Sequence, residues 1–167
     1  NKFLGTISLF KDPEFCFEEK FVQITSNSNK SSVKYYYSEP SLLTTINKTI
    51  VMPEVVVTCV LTQEHLTEIK KASSVLQVND IAIRSNGTSV ELVALDKNDA
   101  TTNNFSIDIG DNTDGSDFTF YFKAENLKML DGSYNVSITE KVVSKFEHLS
   151  KDLTYWVALE SDSTYSS

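Results

Sequence analysis

The sequence predicts an α+β fold, antiparallel sheets carrying helices on one face, built as one complete unit and one partial one. Three observations predict it. Asn86-Gly87, a dipeptide suited to tight turns, lies inside "DIAIRSNGTSVELVALD", where apolar and polar residues alternate on both sides. A β-branched run, "VVVTCVL", leads into an amphipathic stretch over residues 62–76. The third observation is order: strand, helix, hairpin, hairpin, short helix and hairpin fill residues 54–167, while residues 1–39 repeat only the second half of that order.

Composition narrows the field. At 167 residues and 40% hydrophobic content, the chain can bury a core and is not a disordered tract. Its net charge of −8 and pI near 4.7 exclude a simple basic protein that wraps nucleic acid, because phosphate affinity needs Lys and Arg. No stretch approaches the roughly 18 apolar residues of a membrane span, and no signal peptide opens the chain. Cys16 and Cys59 both sit in apolar strand-like text and are expected to be core thiols.

The elements follow in order. In "NKFLGTISLF", Phe3, Leu4, Ile7 and Phe10 fall at helical spacing between Lys2 and Lys11, and Pro13 stops the helix. "EFCFEEKFVQI" and "VKYYY" read as the two arms of a hairpin around "SNSNKSS". Residues 40–53, with Pro40 and Pro53 and no period, form a connector. "VVVTCVL" reads as a fully buried strand. Thr62 is placed to cap the next helix, Glu64 suits its first turn, and Leu66, Ile69, Ser73 and Leu76 define its inner face. A type I′ turn is expected at Asn86-Gly87, then a second hairpin from "NNFSIDIGDNTDGSDFTFYF". "KAENLKML" is a short helix closed by Gly132, and two last strands end in "TYWVALESDSTYSS", a buried run followed by an acidic, serine-rich tail.

Several short stretches in one order carry a resemblance. "HLTEIKKASSVLQVNDIAI", "ENLKMLDGSY", "KFE" and "YWVALESDSTY" resemble the second domain of the T-even-type phage DNA sliding clamp, the polymerase processivity factor. "FLGTISL" and "SEPSLLTTINKTIVMP" are similar to the end of that family's first domain. The resemblance covers nearly the whole chain. It implies the processivity fold, with the C-terminal part of domain one at residues 1–39, an interdomain connector at 40–53 and domain two at 54–167. It further implies a non-enzymatic ring of three subunits around duplex DNA in the cytoplasm of the infected bacterium. The partners it implies are the C-terminal tail of the DNA polymerase and an ATP-dependent clamp loader.

The resemblance places basic residues facing DNA at Lys71 and Lys128, and one arginine position of the family is Ser74 here. Helix-face position adds Lys2, Lys70 and Lys123. The three helical segments carry a net +2, so the remainder carries −10, a distribution that would confine DNA to a central hole. The implied pocket for a partner's hydrophobic tail is walled by Tyr36, Tyr37, Leu42, Leu43, Val157 and Leu159. Lysines also populate ordinary solvated helix faces, and apolar residues ordinary cores.

Other chemistries lack a carrier. Asp108, Asp111, Asp114 and Asp117 cluster without the spacing of a calcium loop, and His65 and His148 are too isolated for a zinc site. No nucleophile elbow, phosphate loop or Cys-His pattern occurs. The rival reading is an extracellular β-rich binding module, suggested by N-x-[ST] sequons at Asn29, Asn47, Asn86, Asn104 and Asn135. A disulfide between Cys16 and Cys59 would favour it.

Overall fold

The computed structural model describes residues 2–26, 30–42, 51–113 and 115–166. It divides into two compact units, Asn1–Thr49 and Ile50–Ser167. No helix among the described residues is long and apolar enough to cross a membrane.

In the first unit, helix α1 (Lys2–Ile7) precedes three strands, β1 (Glu14–Phe17), β2 (Phe21–Ser26) and β3 (Ser31–Tyr36), paired antiparallel in the order β1-β2-β3. The helix is shorter than its periodicity predicts. Its end tightens into three-residue steps, with Leu9 N–H donating to Thr6 O and Phe10 N–H to Ile7 O, so Phe10 enters the core from outside the helix. Strand β2 alternates strictly, burying Val22 and Ile24, and Phe3, Ile7, Val33 and Tyr35 pack around them. The stretch read as one strand is two. Glu18 N–H donates to Phe21 O at 2.9 Å, closing a charged turn with neither Gly nor Pro to announce it. All of β1 is exposed, Cys16 included, so that thiol is not in a core.

The second unit is a pair of antiparallel sheets. One has the order β11-β10-β9-β4, from β4 (Val55–Leu61), β9 (Tyr134–Thr139), β10 (Val143–His148) and β11 (Thr154–Ala158). The other has the order β12-β8-β5-β6-β7, from β5 (Asp80–Asn86), β6 (Ser89–Leu95), β7 (Phe105–Asp111), β8 (Asp117–Lys123) and β12 (Thr164–Ser166). Helix α2 (Gln63–Leu76) contacts β5, β6 and β7. One continuous core joins both sheets and α2, and the rings of Phe122 on β8 and Phe146 on β10 meet edge to face at 6.0 Å across it.

Pairing departs from the sequence reading at several points. Strands β7 and β8 do not form a hairpin; β7 pairs with β6 and β8 with β5. The loop between them is tied across the β5–β6 turn, where Asn112 N–H donates to Thr88 O and its side chain donates to Ser85 Oγ and Ser116 O. That turn is also displaced. The register Ser85↔Val90 centres it on Gly87-Thr88, and Gly87 at φ +92° supplies the one left-handed position a type II′ turn requires. Strand β4 is an edge strand that buries Val57 and Leu61 while Val55 and Val60 stay exposed, so its β-branched run is half-buried. Cys59 lies on the less exposed part of β4, and burial pushes its thiol up to about 12.

The chain after Gly132 makes four strands rather than two, and the supposed acidic tail contributes β12, paired with β8. The predicted short helix is a single 3₁₀ turn, Ala124–Leu127. Gly132 does not cap it. At φ +149°, it admits the His148 ring, whose Nε2 an added Cβ would strike.

Candidate nucleic-acid and partner surfaces

Helix α2 is specified locally at both ends. Thr62 Oγ1 accepts from the His65 N–H, and His65 Nδ1 accepts from the Thr62 N–H, a capping box in which histidine takes the usual glutamate position. At the other end Gln77 adopts the left-handed conformation (φ 57°), and its N–H and that of Val78 both reach Ser73 O. The Ser73 hydroxyl donates to Val78 O at 2.6 Å, which explains a buried serine on the apolar face. Leu66, Ile69 and Ser73 face inward, as the spacing predicts, and the lysines are left on the outside.

The outside of α2 has two flanks. On one, a groove of about 520 Å³ runs between the end of α2 and the 3₁₀ turn, with Lys70, Ser74, Gln77 and Asn79 on the helix side and Glu125 and Lys128 opposite. Lys70 and Lys128 are therefore brought together. Lys71 is on the other flank, in a mostly apolar groove of about 450 Å³ lined by Ala72, Val75, Leu76 and Phe105. Lys2 opens α1, and its side chain lies outside the described residues.

Lys123 is placed differently from its sequence reading. It ends β8 rather than standing on a helix face, and its Nζ lies 2.6 Å from Oδ1 of the buried Asp80 and 3.9 Å from Glu160. The Asp80 hydrogen bond holds its pKa above the usual lysine range, against the opposing effect of desolvation. A charge so committed is not free for a phosphate.

Among the apolar candidates, Tyr36, Tyr37 and Leu42 of the first unit are exposed, with the Tyr36 ring 5.4 Å from that of Phe21. Leu43 lies outside the described residues. In the second unit Leu159 is half-buried against the core, and its N–H donates to Val142 O at 3.0 Å. Val157 is buried inside that core, because β11 turns this side chain inward, so it is not part of a surface wall. Sequence reading missed Gln77 and Asn79 in the groove, and Val142, exposed at the β9–β10 turn with φ +93°. It also missed Lys97, held by Glu160 at 3.2 Å and Asp162 at 2.9 Å. No local signal marks this set, since the acids lie 63 and 65 positions from Lys97 in sequence.

Two sheets joined by one core, with helical segments bearing the lysines, define the class: this is the sliding-clamp fold. It is shared with the PCNA2–PCNA3 complex of Sulfolobus tokodaii (TM-score 0.63, 10% identity, 95% of this chain and 70% of that one). It is shared also with A. fulgidus PCNA bound to the C-terminal region of FEN-1 (TM-score 0.50, 16% identity, 93% and 64%). The family model for the C-terminal part of the gp45 sliding clamp matches residues 58–161. The sliding clamp of Vibrio phage KVP40 is 30% identical over 165 residues, covering 96% of this chain and 73% of that protein. That of Enterobacteria phage T4 is 28% identical over 171 residues, covering 99% and 74%. The chain belongs to the gp45 family of phage DNA sliding clamps.

Proposed function

We propose that this sliding clamp tethers the replicative polymerase by topology, as one of three subunits enclosing duplex DNA in the infected host cell. Family membership carries this reading, and it leaves the extracellular binding module without support. What supports the DNA side is the groove shared by Lys70 and Lys128. Two cations diluted by Glu125 and by neutral Ser74, Gln77 and Asn79 suit weak, water-mediated contacts that let the duplex translate. Lys71 would contribute from the other flank of α2, and Lys2 from the first unit. The clamp loader supplies the ATP-driven opening, so the clamp itself needs no catalytic chemistry.

Within the second unit the polymerase tail is assigned to the half-buried Leu159, with the exposed Val142 beside it. A few such anchors, each worth roughly 1.5–3 kcal/mol of burial, suffice for peptide capture. Light scattering on the complete clamp tests enclosure: a trimer is expected, and a monomer at every concentration would remove the basis for it. Lys70→Glu with Lys128→Glu should shorten residence on circular duplex DNA without changing the circular dichroism spectrum. Unaltered calorimetric affinity of a polymerase-tail peptide for a folded Leu159→Asp variant would overturn the pocket assignment.

A further inference from the structure

Residues 160–166 are partly exposed, yet they are held at several points to the edge of β8. Glu160 N–H donates to Tyr121 O at 2.9 Å, and the Ser163 hydroxyl accepts from Tyr121 N–H at 3.0 Å. Three residues then pair with β8, and the Tyr165 ring stacks on Phe120 at 6.5 Å. Three residues of strand are too few to hold an edge by themselves.

The remaining hold is ionic and centres on Lys97, which enters from the loop after β6. Its Nζ reaches Glu160 at 3.2 Å and Asp162 at 2.9 Å, and lies 5.7 Å from the centre of the Tyr121 ring. Its side chain is only 13% exposed, while Glu160 at 29% and Asp162 at 50% stay open to solvent, so salt can still screen the contact. The neighbouring Lys123 shares Glu160 with Lys97, but only as its more distant partner. Lys123 is committed to Asp80 at 2.6 Å and stands 3.9 Å from Glu160, while Asp80 takes the Lys97 backbone N–H at 3.4 Å.

We propose that residues 160–166 form an ionic strap on the edge of β8, with Lys97 as its lock, so that loss of the Lys97 charge releases the strap locally and uncovers the β8 backbone from Asp117 to Tyr121. The hydrogen bond to Lys97 holds the Asp162 carboxylate below its usual range, and the same bond raises Lys97, so both groups stay charged together. A released edge is a ready acceptor for another strand, which gives the fold a reason to keep it covered.

Hydrogen exchange of the full chain, read by mass spectrometry, tests this. Lys97→Met keeps the apolar stem and removes the charge; it should speed exchange about tenfold in residues 160–166 and 117–121, and leave the β5–β6 hairpin unchanged. Glu160→Gln with Asp162→Asn should reproduce it, Lys97→Arg should restore protection, and 1 M KCl should loosen the wild-type strap because the screening length falls to about 3 Å. Unchanged exchange in 160–166 would overturn the proposal. An equal rise in the hairpin would also overturn it, since the effect would then be general loosening.

Discussion

The two units solve the same problem with very different means. Among the described residues the second buries a cluster of twenty side chains shared by two sheets and a helix, whereas the cluster of the first contains three, Phe10, Val22 and Ile24. Burial of a large apolar side chain contributes about 1.5–3 kcal/mol, and ordering each residue costs about 1–2 kcal/mol of backbone entropy. Three buried side chains offset little of that cost. The aromatic residues sharpen the contrast: Phe120, Phe122 and Phe146 are fully buried in the second unit, while Phe15 and Phe17 of the first stack on each other in the open. The second unit therefore holds its shape from within, and the first is expected to yield first.

The largest effects test that contrast directly. Phe146→Ala removes the ring that bridges the sheets and should destabilise the second unit by about 3–5 kcal/mol in urea unfolding. Ile24→Ala, costing about 2–5 kcal/mol by the same rule, should exceed what the first unit holds. The expected result is loss of the Phe3–Tyr35 ring contact in aromatic NMR shifts with Trp156 fluorescence unchanged, and a joint change in both would mean that the units unfold as one.

Gly132→Ala comes next, at about 2–4 kcal/mol by thermal denaturation, because it combines a left-handed φ with a collision against His148. Thr62→Ala should cost about 1 kcal/mol through the lost cap of α2, and restoration by Thr62→Ser would identify the hydroxyl as the cause.

The smallest expected effect is the pH dependence of the strap. Asp162 is lowered by Lys97, so its contribution is present above its unfolded pKa and is lost as pH falls through the folded value. Lys97 is raised, so its contribution is present below its unfolded pKa and is lost as pH rises through the folded one. The protection factors of residues 160–166, exchange rates corrected for the intrinsic pH dependence of amide exchange, should therefore be highest between the ordinary carboxylate and lysine ranges, and a flat protection profile would separate strap closure from these charges.

Part of this was legible in the residues themselves. Thr62, Leu66, Ile69 and Ser73 marked the start and inner face of α2, and the alternation on both sides of Gly87 marked β5 and β6. Of the site, the outward lysines of α2 were legible, but the separation of Lys70 from Lys71 onto different grooves was not. Lys123 misled because its position was read from a helix face, and Val157 because the family resemblance implied a surface wall there. One is claimed by Asp80, 43 positions away, and the other by a core assembled from both sheets.

What the sequence by itself determined are the features whose partners lie within a turn or two: the capping box, the helix face and the nearest-neighbour hairpins, where closing a short loop costs little entropy. Only the tertiary structure decided that β8 leaves its neighbour β7 for β5, that residues 164–166 return to β8, and that the "VVVTCVL" strand lies at a sheet edge. Backbone hydrogen-bonding groups are alike in every strand. The choice among them rests on which arrangement buries Phe120, Phe122, Tyr134 and Phe146 together, and no local stretch contains that information.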